Sequence, residues 1–193
     1  MQLINHDAMA QAFPDGLLVL PEHLAALITH APTRAFLRDV GLPDRERWFE
    51  SSQELVDGRV RIGGEAWQRV AEQHPGCPFD MSAWLALGGI GLDGVAVDTA
   101  TGLVYSMPDG GSSHLLNSSV QCLGSFLYAL EVERGAYDPE ADGGADPDGA
   151  VERLLELMRA VDPAAARHAA PEYEYGGPTW SMVLHYVSNM LGD

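Results

Sequence analysis

The sequence predicts one domain that combines antiparallel β-strands with α-helices. Strand-like runs occupy residues 84–88, 94–98 and 103–107, and a tight Asp-Thr-Ala-Thr-Gly loop at 98–102 predicts an antiparallel hairpin. Later in the chain, apolar residues recur at offsets of three and four, which predicts amphipathic helices. With 193 residues and a 46% hydrophobic content, the chain can bury one core, so we expect a single domain over residues 1–193.

Short strands and short helices alternate in the first part of the chain. An apolar run at 17–20 predicts a strand, and Pro21 after it suits the first turn of a helix. A second, two-turn helix is predicted with Thr33 as its cap. Gly41 then supplies a left-handed exit, and Pro43 prevents the helix from continuing.

Residues 46–65 predict further strands before the next helix. The run at 46–52 predicts a strand, and Asp57-Gly58 between two alternating runs predicts a β-hairpin. Residues 65–73 predict a helix with three side chains facing the interior, Trp67, Val70 and Ala71.

A long helix is predicted after the central strands. Its apolar stripe has helical spacing and consists of Val120, Leu123, Phe126, Leu127 and Leu130. Asn117 or Ser118 is placed to cap it, because both residue types satisfy free backbone donors at a helix start. This structural role is favoured over catalysis, since no base is placed in sequence to activate either serine.

The last third contains an acidic segment and two more helices. Residues 136–150 are acidic and rich in Gly and Pro, which predicts a solvated loop or linker. Asp146-Pro147 starts a helix in that prediction, and a final helix begins near Pro178 and carries Trp180.

Charge and composition restrict the functions that the chain can have. The chain has 28 acidic and 11 basic residues and a net charge of −17, and all its basic residues are arginines. Without lysine, no P-loop or Schiff-base chemistry is available. The negative charge disfavours nucleic acid and anionic membranes and favours a basic protein partner, although many acidic proteins are simply soluble.

Cysteine content and hydropathy indicate a cytoplasmic protein. Cys77 and Cys122 are too few for a disulfide framework, and the first residues show no signal-peptide pattern. No run approaches the length of a membrane span.

Three motifs resemble binding sites but fail a necessary condition. The Gly-rich run at 89–94 matches the dinucleotide fingerprint, yet a strand follows it where a helix is required. The stretch at 138–149 resembles a calcium loop but ends in Gly149 instead of glutamate. His74 and Cys77 form only half of a zinc site. We therefore predict no cofactor, no metal and no catalytic residue, with weak calcium binding at 138–149 left open.

In their order and spacing, these motifs resemble the SMI1/KNR4-like (SUKH) superfamily, most closely the bacterial immunity proteins called SUKH-4. The resemblance covers roughly residues 33–130, with a looser match around the final helix. The positions that carry it, and to which it implies a structural role, are Gly41, Pro43, Gly88, Asp98, Gly102, Asn117, Ser118, Ser119 and Trp180.

The resemblance implies an α+β fold in which helices pack on a mainly antiparallel sheet. It also implies a non-enzymatic protein that binds and occludes a polymorphic toxin, of which nucleases and nucleic-acid deaminases are frequent examples. Residues 54–80 and 136–150 are expected to be variable insertions. A basic groove on the toxin would complement the acidic chain.

Candidate toxin-binding residues are acids predicted to lie on exposed loops: Asp93, Asp109, Asp138, Glu140, Asp142, Asp146, Asp148, Glu172 and Glu174. Two alternative functions remain open at this point. The first is a regulatory or scaffolding domain of the same fold. The second is a small-molecule-binding domain or hydrolase that uses Ser118 or His114. The toxin, the binding face and the oligomeric state are left open by the sequence.

Overall fold

A computed structural model describes residues 4–46, 48–73, 77–108, 112–141, 143–169 and 177–190. The strands in chain order are β1 (Leu17–Leu18), β2 (Leu42–Pro43), β3 (Arg45–Glu46), β4 (Phe49–Ser51), β5 (Trp84–Ile90), β6 (Asp93–Asp98), β7 (Val104–Met107) and β8 (His114–Asn117). The helices are α1 (His6–Ala12), α2 (Glu22–Ala25), α3 (Ala31–Asp39), α4 (Gln53–Val56), α5 (Glu65–Gln73), α6 (Val120–Tyr137), α7 (Pro147–Val161), α8 (Pro163–Ala166) and α9 (Thr179–Asn189).

The main sheet is an antiparallel meander with the order β3-β4-β5-β6-β7-β8. Strands β1 and β2 form a separate antiparallel pair. The chain leaves the meander once between neighbouring strands, from β4 to β5, and forms α4 and α5 on the way. The fold is therefore α+β, with the mainly antiparallel sheet that the resemblance implied.

One face of the sheet and the helices share the larger hydrophobic core. Leu87 of β5 and Val95 of β6 are fully buried in this core. From the helix layer, Leu123 and Phe126 of α6 and Val183 of α9 meet them there. The stripe predicted for the long helix is thus the buried side of α6, as its spacing indicated.

A smaller aromatic cluster covers the opposite face of the sheet. The rings of Trp84 and Tyr105 stack with centroids 4.5 Å apart, and Trp67 of α5 meets Trp84 edge to face at 5.5 Å. Phe79 packs on Tyr105 at 4.5 Å. Part of the segment 54–80 therefore closes this face, while its status as an insertion stays a prediction.

The predicted hairpin at Asp57-Gly58 is wrong. Residues Gln53–Val56 form α4, and Gly58 follows this helix with a φ of +71°. A glycine after a short helix takes the same left-handed conformation that a tight hairpin turn requires, so the local signal is ambiguous. The inward position predicted for Ala71 is also wrong, because Ala71 is exposed while Trp67 is buried.

Two predicted helix caps belong to neighbouring residues. His30 caps α3 and its Nδ1 accepts from the backbone N–H of Thr33, which lies inside the helix. Ser119 caps α6 and its hydroxyl accepts from the N–H of Cys122 at 3.1 Å. Asn117 and Ser118 are not the cap, because both donate hydrogen bonds to the carboxylate of Asp162.

Candidate functional site

The Asn-Ser-Ser step between β8 and α6 is held by one buried carboxylate. Asp162, which is 1% exposed, accepts hydrogen bonds from the backbone N–H of Ser118 at 2.7 Å and from the side-chain amide of Asn117 at 3.2 Å. It also accepts from the Ser118 hydroxyl and from the backbone N–H of Ala165 in α8. The carboxylate thus receives four hydrogen bonds, as a buried charge requires.

Trp180 extends this network to the last helix. Its indole N–H lies 3.2 Å from the carbonyl oxygen of Leu116 and 3.3 Å from Oδ1 of Asn117, and donates to both. Asn117 therefore donates to Asp162 on one side and accepts from Trp180 on the other. We call Asn117, Ser118, Asp162 and Trp180 the Asp162 network, which joins β8, α6, α8 and α9.

A second buried network fixes the start of α9 to the sheet. The Thr179 hydroxyl donates to Asp93 at 2.7 Å and accepts from the Ser106 hydroxyl at 2.6 Å. Nε2 of His114 accepts from the backbone N–H of Thr179 at 3.4 Å, and Nδ1 donates to the carbonyl of Ser112 at 3.2 Å. Burial lowers the pKa of His114, which favours the neutral ring that this arrangement needs.

Ser118 and His114 belong to different networks. Nucleophilic catalysis of the serine–histidine type needs the serine hydroxyl to donate to the histidine. Here the Ser118 hydroxyl donates to Asp162, and backbone groups contact both ring nitrogens of His114. In this geometry neither residue is prepared for acyl transfer.

The motif residues of the β6–β7 turn join the sheet to α3. Asp98 Oδ1 accepts from the N–H groups of Ala100 and Thr101, which closes the turn. Gly102 has a φ of +81°, and a Cβ at this position would clash with the imidazole of His30. Glycine is therefore required here both by its backbone conformation and by the close approach of α3.

Three other motif positions, Gly41, Pro43 and Gly88, lie close to other segments of the chain. A Cβ at Gly88 of β5 would clash with the carbonyl oxygen of Glu50 in β4. The Ser51 hydroxyl donates to the carbonyl of Pro43 at 2.9 Å, and Gly41 leaves α3 with the predicted positive φ, +88°. These residues contact the chain itself.

Two of the candidate toxin-binding acids are buried, so the exposure assumed for them is wrong. Asp93 is 8% exposed and anchors Thr179. Asp138 is 4% exposed, forms an ion pair with Arg134 at 2.8 Å and accepts from the backbone N–H of Glu140. The sequence around both acids is typical of exposed loops. Tertiary packing nevertheless places the Thr179 hydroxyl on Asp93 and the Arg134 guanidinium on Asp138.

Of the other seven acidic candidates, three are exposed and four lie outside the described residues. Glu140, Asp146 and Asp148 are exposed. Asp146 also caps α7 through the N–H of Gly149 and lies 3.1 Å from Arg153. The remaining four acidic candidates lie outside the described residues: Asp109, Asp142, Glu172 and Glu174. His74 of the half zinc site also lies outside them. Within the described ranges, no group of three or more His, Cys, Asp or Glu residues is arranged to hold a metal ion.

The described helices also include none that is long and apolar enough to cross a membrane.

The sequence model of the SUKH-4 immunity protein family matches residues 4–185. The chain belongs to this family. No curated protein and no solved structure matches it. For this SUKH-4 member, the match covers nearly the whole chain, well beyond the resemblance at 33–130, and it includes both segments expected to be insertions. The family supports a role in toxin immunity.

The SUKH-4 domain has a groove of about 710 Å³ between α1, α6, α7 and the start of α3, where His30 and Pro32 line it. Its lining is mainly apolar and includes Ala8 of α1, Tyr128 of α6, and Leu157 and Val161 of α7. Cys122 also lies there, and burial raises the pKa of its thiol, which keeps it uncharged. We call this feature the helix groove.

Sequence patterns missed both the helix groove and Asp162. One signal for the groove was present, because α6 is apolar on its outward side as well, at Tyr128 and Val132. Asp162 carried no comparable signal. It lies 44 residues from Ser118, its hydrogen-bond partner.

Proposed function

We propose that this SUKH-4 member is a non-enzymatic, cytoplasmic immunity protein that binds a cognate polymorphic toxin and occludes its active site. The observation that carries the proposal is the family match over residues 4–185. The toxin is a nuclease or a nucleic-acid deaminase, whose basic substrate groove suits a partner with a net charge of −17.

The geometry of the polar motif residues supports inhibition by binding. The Ser118 hydroxyl is held by Asp162, and His114 is held by two backbone groups. Their side chains stabilise the fold, so the activity of the protein resides in its surface. An immunity protein needs only such a surface.

Co-expression with the toxin encoded immediately upstream tests this function. The wild-type protein should restore growth, and the Ser118→Ala and His114→Ala variants should protect as well wherever they fold. Failure of the wild-type protein to protect against any neighbouring toxin would remove the proposal. Loss of protection by well-folded Ser118→Ala would favour a catalytic role instead.

The salt dependence of binding separates the electrostatic part from simple occlusion. Exposed charges are screened beyond about 10 Å at 0.1 M salt, so association with a basic toxin should slow steeply as salt rises. Stopped-flow measurements of the association rate check this. A rate independent of salt would contradict charge steering and leave occlusion in place.

A further inference from the structure

We propose that the helix groove is the toxin-binding surface and that it accepts a basic amphipathic helix of the toxin. This inference rests on the proposed function and adds to it the binding face and the chemistry of the segment that binds.

The floor of the groove has the shape and polarity of a helix-binding site. Gln121, Ser125 and Tyr128 line it along α6, and Val132 continues the same row by one turn and is 59% exposed. From Gln121 to Val132 the row covers twelve residues, which is roughly 17 Å between its ends at the rise of an α-helix. Three turns of a partner helix fit along it, with α1 on one side and α7 on the other.

The charges on three of the helices around the groove are mostly negative. Helices α1, α6 and α7 carry six carboxylates and three arginines. Two of the arginines are already used in ion pairs: Arg134 contacts Glu131 and Asp138, and Arg153 contacts Glu133 and Asp146. Glu131 and Glu133 are used in the same ion pairs, so within the described ranges these helices keep four carboxylates without an ion pair and one such arginine, Arg159. The groove therefore offers a mainly apolar floor among helices with an excess of carboxylates.

Helix α7 shows this excess most clearly. Asp148, Glu152 and Glu156 are spaced by four residues, so they form one row on the exposed side of α7. Glu156 is the member of the row nearest to the groove, since it is about 100° around the helix from Leu157, whereas Asp148 is on the opposite side. Like charges four residues apart repel each other. No arginine in the described ranges forms an ion pair with these three acids, so the row is available to cations of a partner.

Together, the floor and the charges specify one kind of occupant. A helix with apolar residues at intervals of three and four would cover the floor, and its lysines and arginines would be attracted by the carboxylates of the surrounding helices. An acidic helix would meet repulsion, and an uncharged one would leave the α7 row unpaired.

The cavity on the sheet side lacks these properties and supplies a control. It has a volume of about 450 Å³ and lies at β4 and β5, where Glu50, Ser52, Gln53 and Gly88 are among its lining residues. Its lining is about equally polar and apolar, with Trp48 and Phe49 beside the polar residues, so it is less apolar than the helix groove. Ser52 of this cavity and Ser125 of the helix groove are both partly buried, so the same substitution can be made at each surface.

The decisive measurement is the affinity for the upstream-encoded toxin, with Ser125→Arg compared with Ser52→Arg. We expect Ser125→Arg to weaken binding by roughly 30-fold or more, because it places a cation on the apolar floor at the centre of the interface. Ser52→Arg should bind within about threefold of the wild type. Val132→Glu, at an exposed position one turn beyond Tyr128, gives a second variant that should fold normally, and circular dichroism verifies each fold.

A charge reversal and a peptide test the chemistry of the occupant. Glu152→Arg with Glu156→Arg should slow association about tenfold and leave dissociation nearly unchanged. An 18-residue peptide of leucine and lysine at helical spacing should shift the NMR signals of Ser125 and Tyr128 in ¹⁵N-labelled protein. A peptide of the same composition in scrambled order should not.

The outcomes separate this inference from the proposed function. If the wild type protects and Ser125→Arg and Val132→Glu bind the toxin equally well, the groove proposal fails while the immunity function stands. If only Ser52→Arg lowers the affinity for the toxin, the toxin binds at the cavity of β4 and β5 instead. Equal binding of both peptides, or a small apolar molecule found in the groove by native mass spectrometry, would overturn the proposed occupant. Absence of protection by the wild type would remove the function itself.

Discussion

The Asp162 network and the helix groove both involve α6, yet they use polar groups in opposite ways. In the network, a carboxylate that is 1% exposed accepts four hydrogen bonds from its own chain. On α7, which lines the groove on one side, Glu152 and Glu156 are exposed and have no ion-pair partner among the described residues. The residues that look chemical in sequence thus stabilise the fold, and the surface available to a partner consists of residues with no motif.

The largest expected effect is the removal of the acceptor at the centre of the network. Asp162→Ala should lower the free energy of unfolding by about 3 kcal/mol, because the buried donors of Asn117 and Ala165 lose their partner and the exposed Ser118 loses two hydrogen bonds. Ser118→Ala, which removes one donor, should cost about 1 kcal/mol. Urea denaturation followed by circular dichroism measures both. Equal losses in the two variants would contradict the central role of the carboxylate.

The next effect compares a buried glycine with an open one. Gly102→Ala should cost about 2–3 kcal/mol, since the residue combines a positive φ with a clash against His30. Gly58→Ala has a similar φ, +71°, but a Cβ there meets no atom within 4 Å, so about 1 kcal/mol is expected. Thermal unfolding measures the difference. If Gly58→Ala were the more damaging, the docking of α3 on the β6–β7 turn would not be tight.

A smaller effect concerns pH and the anchor of α9. Burial lowers the pKa of His114, so the unfolded chain takes up its proton first as the pH falls through about 6.5. The stability contributed by neutral His114 is therefore complete above that pH and is lost as the pH falls towards the pKa of the folded state. Asp93 opposes this shift and His168 adds to it.

This prediction is checked by measuring the free energy of unfolding of the wild type and of His114→Gln at several pH values from about 7.5 to about 5. The wild type should lose more stability than the variant on acidification. Parallel curves would show that His114 titrates with the same pKa in both states.

The smallest expected effect on stability lies at the groove. Val132→Glu changes a side chain that is 59% exposed, so the free energy of unfolding should stay within about 0.5 kcal/mol of the wild type. Toxin affinity should fall in the same variant. A loss of stability as large as that of Gly102→Ala would mean that this row of α6 is part of the core, which would remove the contrast between the two regions.

Local patterns predicted most of the regular structure. Strands β5, β6 and β7, the turn at Gly102 and the start of α7 at Asp146-Pro147 follow from periodicity and turn chemistry, because neighbouring residues determine these features. The same local rules failed at Asp57-Gly58, where four residues form α4. They also misplaced the caps of α3 and α6, since His30 and Ser119 outcompete their polar neighbours.

The sequence by itself determined the type and order of the main elements, the acidic charge and the motif order of the SUKH-4 family. Only the tertiary structure decided which polar groups are used internally. Asp93 and Asp138 became buried partners of Thr179 and Arg134, and Asp162 became the acceptor for Ser118 across 44 residues. The physical reason is that a buried polar group needs a partner, and packing brings that partner from a distant element that no local pattern specifies.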